Sequence, residues 1–392
     1  MFFAPISLAV TRGVSSSNRH RSGPAIPAEA AKGLLILILL LLVLQACPAH
    51  AQEASPQFQD LATRAAAARD QQNLPLAIEL YGQAEQLKPD WAEGWFYLGL
   101  LQYSSNSFQP AIDAFNHFLA LQPNAPPAMA LRGLCEFETG AYDDALRDLE
   151  QAVQRGAANE PHNEQIIRYH FAQLLARAGR YQDALLQYQF FAAKNINDAD
   201  ALLGIGLAGM RISTLPKDIP EEGRELFMAA GNAGYVFLSG DSQGADGVFK
   251  QLFARYPTAP NLHFFYGVLL FMHGPDLAID QFKDEVAVAP SNPTAHAILA
   301  YSLMFAGRFA EARPEAELAL AGAPDMEMAQ IALGRSLAET GEPKRAVEVL
   351  NQVLQRDANN LEARMGLAIV YSRSGNREDA YRERMVCLSL QK

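Results

Sequence analysis

The sequence predicts an all-α protein built as a solenoid of about nine or ten antiparallel helix pairs. Two observations predict this fold class. A six-residue phrase that opens with Gly and closes with Ala recurs at 140–145, 179–184 and 307–312, and more loosely at 341–346 and 375–380. The closing alanines and their counterparts follow one another at intervals of 34, 34, 39, 61, 33, 34, 34 and 34 residues: Ala77, Ala111, Ala145, Ala184, Ala245, Ala278, Ala312, Ala346 and Ala380. A fixed period of this length is typical of stacked helical repeats.

Each copy of the phrase is predicted to be the tight turn between the two helices of a pair. Gly140 can end the first helix in a left-handed conformation, because it has no Cβ to clash. Asp143 and Asp144 then open the second helix, where the positive end of the helix dipole favours acidic side chains. Ala145 is small, so it lets two helices cross closely.

Three further positions keep the same phase as the closing alanines. A large apolar residue stands four residues after the alanine in most copies, at Tyr81, Phe115, Leu149, Tyr188, Phe249, Phe282 and Leu350. A proline that can end the second helix stands twelve residues after it, at Pro89, Pro123, Pro257, Pro290 and Pro324. A small residue stands twelve residues before it, at Ala65, Gly99, Gly133, Ala172, Ala300, Gly334 and Ala368.

Together with the opening Trp95, Leu98 and Gly99 of the second copy, these positions resemble the tetratricopeptide repeat. The resemblance covers roughly residues 57–198 and 240–391. It implies a right-handed superhelix whose first helices line a concave groove. We expect the first copy to cap the array. The last copy carries Arg384 in place of the aromatic residue, which predicts a polar end face.

The period is broken twice. Residues 159–164 are an insertion, predicted to lengthen the loop before the fourth pair. The longer gap equals one period plus 27 residues, so one repeat at 199–240 is degenerate or shortened. Pro216 and Pro220 predict a loop within this segment. A helix is predicted from 221 to 238, with a break near 231–234. The predicted organisation is therefore a leader (1–51), an N-terminal array (52–198), a degenerate repeat or hinge (199–240) and a C-terminal array (241–392).

The amino terminus has the pattern of a secretory signal peptide. Four basic residues and one acidic residue in 1–32 precede an unbroken apolar run of eleven residues from Leu34 to Leu44. An A-x-A site at Ala49 and Ala51 follows, which predicts cleavage after Ala51. The run is too short to span a bilayer comfortably. These features predict an exported protein, periplasmic or secreted, that does not insert into the membrane after cleavage.

A second interpretation of the same stretch involves Cys47. The sequence Leu44-Gln45-Ala46-Cys47 resembles a bacterial lipobox, in which the cysteine would carry lipid and become the new amino terminus. The alternative prediction is therefore a lipid-anchored envelope assembly factor. An uncleaved apolar segment is a third way to hold the chain at a membrane.

The composition points to a folded protein and away from nucleic acid. Hydrophobic residues make up 49% and charged residues 19% of the chain, and the net charge is -11. Phosphate binding needs clustered Lys and Arg, so an acidic chain is not predicted to bind nucleic acid. The three cysteines lie too far apart for a metal or redox motif. We expect Cys135 and Cys387 to be small buried residues.

No catalytic constellation stands out from the sequence, so we predict a protein that is not an enzyme and has no cofactor or metal. The eight histidines are scattered and none forms an HExxH motif. Gly204, Gly206 and Gly209 stand in G-x-G-x-x-G register, but within a predicted helix and without a preceding strand. An enzyme would need an unfamiliar site, for which the 199–240 segment is the candidate place.

A protein or peptide partner in the concave groove is the predicted function. Counting in register places aromatic, apolar and basic side chains of the first helices on that face, and large rigid rings make strong contacts in peptide grooves. The candidates for contact with the partner are Phe96, Leu100, Tyr103, Phe137, Tyr169, Arg177, Phe264, Phe271, Tyr301, Phe305 and Arg335.

Overall fold

The computed structural model describes residues 55–157 and 164–391, and this part of the chain contains nineteen α-helices and no strand. The predicted signal peptide, Cys47, Ala51 and most of the 159–164 insertion lie outside the described residues. The helices are α1 Pro56–Asp70, α2 Leu74–Leu87, α3 Ala92–Ser104, α4 Phe108–Leu121, α5 Pro126–Thr139, α6 Tyr142–Gln154, α7 Glu164–Arg177, α8 Tyr181–Ala193, α9 Ala199–Gly209, α10 Arg224–Leu238, α11 Ser242–Arg255, α12 Leu262–Phe271, α13 Pro275–Val288, α14 Pro293–Phe305, α15 Phe309–Gly322, α16 Glu327–Glu339, α17 Pro343–Arg356, α18 Leu361–Arg373 and α19 Arg377–Leu390.

Eighteen of these helices form nine pairs, and α9 stands alone between the fourth and fifth pairs. From α2 onward, each helix packs against its neighbours in the chain, so the predicted solenoid is confirmed. The first helices of consecutive pairs also approach each other, as α3 does α5 and α14 does α16. Among the described residues, the second helices of consecutive pairs do not approach one another in this way. The stack therefore curves with the first helices on its inner face.

The repeat positions predicted from the sequence are core positions. All nine alanines of the period are buried, eight of them with no exposed surface. The large side chain four residues later is also buried, and it lies against the small residue of the first helix. A Cβ added at Gly99 would come within 2.8 Å of the Phe115 ring, and one at Gly334 within 2.6 Å of Leu350. The period is therefore a packing rule, because a larger residue at either glycine would push the two helices apart.

The turn prediction is also confirmed. Gly140 ends α5 with a φ of 83°, and the backbone N–H of Ala141 donates to the carbonyl of Glu136 at 2.8 Å. The glycines that open the other four copies of the phrase also have positive φ, which favours glycine over residues with a side chain. The two predicted buried cysteines, Cys135 and Cys387, are buried as well.

In the segment at 199–240, the second helix of one repeat is missing. After α9 the chain makes two short 3-10 turns, Pro216–Asp218 and Glu221–Gly223, and then enters α10. The predicted break near 231–234 is wrong, since α10 continues through these residues. Ala233 stands twelve residues before Ala245 and is fully buried, so α10 serves as the first helix of the pair that α11 completes.

The lone helix α9 packs directly on the backbone of α10. A Cβ at Gly206 would overlap the carbonyl oxygen of Phe227, and one at Gly231 would overlap that of Leu202. Two large hydrophobic clusters lie in the described part of the chain, one reaching from Ala111 to Leu269 and the other from Phe264 to Val370, and they meet at α12. The proposed division of the array at 199–240 remains a prediction.

A buried carboxylate caps the amino-terminal end of α12. The side chain of Glu285, which has no exposed surface, accepts the backbone N–H groups of Asn261 at 2.7 Å and Phe264 at 3.1 Å. Asn261 has a φ of 66°, and its own side chain makes no cap bond. Glu285 comes from the next helix, α13, so a long-range contact supplies the cap that local sequence does not.

The end face of the last helix is not polar, which corrects the expectation based on Arg384. The side chain of Arg384 is exposed and donates to Ser372 Oγ at 3.2 Å. Yet Tyr381, Met385 and Leu388 lie along the same helix with 65%, 46% and 54% of their surface exposed. The residue that replaces the aromatic is polar, but its neighbours keep the apolar face that another repeat would cover.

Candidate functional site

The strongest concentration of inner-face side chains lies on α12, α14, α16 and α18. We call Phe271, Tyr301, Phe305, Arg335 and Glu362 the C-terminal inner cluster. The Tyr301 hydroxyl donates to both carboxylate oxygens of Glu362, at 2.6 and 2.7 Å. This bond runs from α14 to α18 across the intervening α16. Such a reach over two repeats is possible because the first helices converge on the inner face.

Aromatic rings extend this cluster. The ring of Tyr301 lies 4.8 Å from that of Phe305 and 6.2 Å from that of Phe271, measured between centroids. Phe271 and Phe305 are equivalent positions of consecutive first helices and also contact each other. Tyr301 and Phe271 are buried, whereas 47% of Phe305 is exposed. Of the three rings, Phe305 is the one that offers a contact surface.

The charges in the cluster are partly removed from water. Burial lowers the pKa of Arg335, against the opposing effects of Glu339, Glu362 and Tyr301. Burial raises the pKa of Glu362, against the hydrogen bond from Tyr301. Within the described residues no carboxylate lies within 4 Å of the Arg335 guanidinium, while nearby Glu339 pairs with Arg373 at 2.8 Å. The half-buried Arg335 is therefore available to an incoming hydrogen-bond acceptor.

The candidates on α3 serve mainly in packing. The Phe96 ring contacts those of Tyr97, Phe115 and Phe118, and Tyr103 contacts Phe108. Phe96, Leu100 and Tyr103 are all half-buried. Their exposed edges face the groove, but most of each side chain faces the protein. Their contact with a partner remains a prediction.

A second concentration lies where the lone helix α9 interrupts the array. We call Tyr142, Arg177, Tyr181, Arg211 and Lys217 the loop cluster. The Arg177 guanidinium lies 4.6 Å from the centre of the Tyr142 ring, and Lys217 Nζ lies 5.4 Å from the same ring. The Ser213 hydroxyl is 2.5 Å from that of Tyr181. The loop that replaces the missing helix thus lies against the turns that begin α6 and α8.

This loop explains the burial of one predicted groove residue. Phe137 is only 5% exposed, because His170 packs on it at 4.7 Å and Lys217 Nζ lies 5.3 Å from its ring. Burial also lowers the pKa of His170. Tyr169 is half-buried against Phe191, at 6.3 Å, and burial raises its pKa above 10. Phe264 is 5% exposed and lies against Phe282 and Arg211. Of the candidates in this region, Arg177 alone has an exposed side chain.

Sequence reasoning missed Arg211, Ser213 and Lys217. They stand outside the repeat register, so counting from the closing alanines could not place them. The available signal was the gap of 61 residues, in which a loop with two prolines stands where a helix is due. That gap marked the segment but not its position on the inner face.

Two negative findings apply to the described residues. No group of three or more His, Cys, Asp or Glu side chains in 55–157 and 164–391 is placed to hold a metal ion. None of the helices in these ranges combines the length and the hydrophobicity needed to cross a bilayer.

The stacked pairs, the buried period and the inner face define the class of protein: a helical-repeat solenoid with a side-chain-lined groove. Two sequence profiles of the tetratricopeptide repeat match the chain. One matches residues 63–126, 103–161, 169–233 and 272–327, and the other matches residues 337–383. Together they cover more than half of the chain, which belongs to the tetratricopeptide-repeat family.

Solved structures with similar folds come from the same repeat class. A MamA structure from Desulfovibrio magneticus RS-1 is 16% identical, with a TM-score of 0.39, over 43% of this chain and 96% of that one. YrrB, described as a TPR protein with an unusual peptide-binding site, is 17% identical over 43% and 87%, with a TM-score of 0.37. The TPR domain of P58(IPK) is 12% identical over 85% and 92%, with a TM-score of 0.28. None of these likenesses assigns a partner. A search of curated proteins finds no match.

Proposed function

We propose that this protein is a non-enzymatic scaffold that binds a protein or peptide segment in its concave groove. The observation that carries the proposal is the C-terminal inner cluster. There an exposed Phe305 ring packs on Tyr301, and the same tyrosine lies near an Arg335 side chain that lacks a carboxylate partner within 4 Å in the described part of the chain. An aromatic anchor next to a partly desolvated Arg is the combination that dominates binding energy in many protein interfaces.

The rest of the groove supports this assignment. Tyr301 and Glu362 are joined by hydrogen bonds across three first helices, so these two side chains are held in place without a partner. A prearranged surface loses less conformational entropy on binding. YrrB, a member of the same repeat class, is described as having a peptide-binding site. A bound segment in our chain would lie along α12 to α18, with Phe305 as its main apolar contact.

Site-specific photocrosslinking tests the proposal. A photoreactive phenylalanine analogue at position 305 should form covalent adducts with a partner in the source cells. The matched control is position 318, since Leu318 is 53% exposed but lies on α15, a second helix on the outer face. Once the partner is identified, Phe305→Ala should weaken its binding by about tenfold, or about 1.4 kcal/mol. Adducts of equal yield at both positions, or at position 318 alone, would reject the groove.

We further propose that the protein is exported. The support is the basic, apolar and A-x-A pattern before residue 52, which is the pattern of a signal peptide. Removing residues 1–51 leaves 28 basic and 42 acidic residues, so the mature chain would carry a net charge of 28 − 42 = −14. In the alternative, a lipid on Cys47 holds the same scaffold at a membrane surface.

Mass spectrometry of the mature amino terminus separates the two forms of export. A chain that begins at Gln52 supports the soluble form. A diacylated Cys47 at the amino terminus supports the anchored form, and Cys47→Ser should then release the protein from the membrane fraction. An intact residue 1 in correctly folded cellular protein would contradict both.

A further inference from the structure

Two cations of the loop cluster, Arg211 and Lys217, come from the segment after α9, which lies outside the repeat pattern. Arg211 ends α9 with a φ of 61°, which points the chain away from a continuing helix. The backbone N–H of Ile212 donates to the carbonyl of Leu207 at 2.9 Å and completes this turn. Leu215 and Pro216 are then buried and anchor the loop. Ser213 and Lys217 lie on either side of this anchor and face the turns before α8 and α6.

Arg211 lies between two aromatic rings. Its guanidinium carbon is 4.7 Å from the centre of the Tyr181 ring and 5.0 Å from that of Phe264. Burial lowers the pKa of Arg211, and Tyr181 only partly opposes this effect. Within the described residues no carboxylate lies within 4 Å of this guanidinium. The positive charge of a half-buried guanidinium that contacts only aromatic ring faces is not fully neutralised. A negative group that approaches it therefore forms a strong hydrogen bond.

Two more cations extend the same surface. Arg177 and Lys217 both lie over the ring of Tyr142. The acidic groups nearby are few and exposed. Asp143 lies 3.5 Å from Arg177 with 94% of its side chain exposed, and Asp218 and Glu138 act on Lys217 from a distance. Three cations that lie on aromatic rings are thus brought together in a chain whose net charge is -11.

The spacing of the cations indicates the shape of the ligand. Arg211 lies towards α12, through Phe264, whereas Lys217 lies towards α5, through Phe137. Arg177 shares the Tyr142 ring with Lys217, whereas Arg211 lies on other rings, so the three positive groups do not all converge on one point. A single phosphate is best held by donors with a common focus. Carboxylates carried at intervals by an extended chain match separated cations better.

From this arrangement we infer that the loop cluster binds an acidic peptide segment, with Arg211 as the contact at the α12 end and Arg177 and Lys217 as the contacts at the Tyr142 end. The inference rests on the proposed function, because it assigns the chemistry of a segment bound in the same groove. The missing second helix thus creates a binding surface that the regular repeat does not have.

Fluorescence anisotropy with the full chain tests the inference. The probes are two fluorescein-labelled decapeptides, one of glutamate and one of glutamine. The glutamate probe should bind wild-type protein at low salt, and binding should fall as sodium chloride is added. Arg211→Gln should weaken it at least fivefold, and Arg211→Lys, which keeps the charge but loses the planar stack, should have a smaller effect. The control Lys344→Gln, at an exposed site on α17, should change nothing.

A circular dichroism melt of each variant shows whether it is folded. If Arg211→Gln is not folded, the same binding experiment is done with the double variant Arg177→Gln and Lys217→Gln. Equal binding of the glutamate and glutamine probes, or equal losses in Arg211→Gln and Lys344→Gln, would overturn the inference. Displacement of the probe by millimolar inorganic phosphate but not by acetate would instead make this a phosphate site. Adducts at position 305 that persist without glutamate binding would leave the groove proposal standing and refute this one alone.

Discussion

Gly206→Ala is expected to cause, together with Gly231→Ala, the largest loss of stability among single methyl additions at the described glycines. At this position α9 and α10 touch backbone to backbone, and the new Cβ would overlap the carbonyl oxygen of Phe227. A flexible side chain can move aside, but a carbonyl within a helix cannot move without shifting the helix. A Cβ at Gly231 would overlap the carbonyl oxygen of Leu202 in the same way. The two helices are therefore in close backbone contact at both glycines. We expect a destabilisation of about 3 kcal/mol or more.

Thermal unfolding followed by circular dichroism measures this effect, and Gly247→Ala is the matched control. Gly247 lies in the interior of α11, and a Cβ there would meet nothing within 4 Å. An alanine at that position should be neutral or stabilise the protein by up to about 1 kcal/mol, since glycine is a poor helix former. Gly231→Ala should behave like Gly206→Ala. Equal melting temperatures for Gly206→Ala and Gly247→Ala would show that the two helices do not cross at this glycine.

Glu85→Gln is expected to remove much of the pH dependence of stability above pH 5. Glu85 lies in the last turn of α2 and is 2% exposed, and neither carboxylate oxygen has a hydrogen-bond partner among the described residues. Burial, with a smaller contribution from Asp90, raises its pKa from the usual 4.5 to about 8. Between these two values the folded chain holds a proton that the unfolded chain has released. The free energy of unfolding therefore falls as the pH rises through this window and levels off above it.

At about 1.4 kcal/mol per pKa unit, the loss amounts to a few kcal/mol between pH 5 and pH 9. Urea unfolding at these two pH values measures it. The amide of Glu85→Gln does not ionise, so this variant should be clearly more stable than wild type at pH 9 and close to it at pH 5. Glu79→Gln, at an exposed site on the same helix, should keep the wild-type pH dependence. A parallel decline in wild type and Glu85→Gln would mean that the Glu85 carboxyl reaches water.

The repeat register could be predicted from the sequence because it is a local packing rule. The closing alanine, the large residue four positions later and the small residue twelve positions earlier must meet in every pair. Their spacing therefore survives in each copy, as the contact of Phe115 with Gly99 shows. The turn glycines could be predicted for the same reason, since positive φ is a property of one residue. Where the cap came from a distant residue, as at Asn261 with Glu285, the local pattern contained no sign of it.

The candidate site could be predicted only as a set of positions. Register places Tyr301 and Phe305 on a first helix, but it cannot show that Tyr301 is covered and Phe305 is half-exposed. Exposure depends on the curvature of the stack and on what lies over each helix. At Phe137 the covering group is Lys217, which is eighty residues away in sequence and belongs to an irregular loop. The same limit applies to Gly206. Its place in a G-x-G-x-x-G register did not show that it lies where α9 crosses α10.

By itself, the amino-acid sequence determined that this chain is a stack of helix pairs, which positions repeat from pair to pair, and where the period is interrupted. It could do so because these features depend on contacts within a pair and between adjacent pairs, which recur every 34 residues. Only the tertiary structure decided which inner-face side chains are exposed, which charges lose water, and that the loop after α9 brings Arg211 and Lys217 to the groove. These outcomes depend on contacts between distant residues, and a periodic pattern records only contacts that repeat.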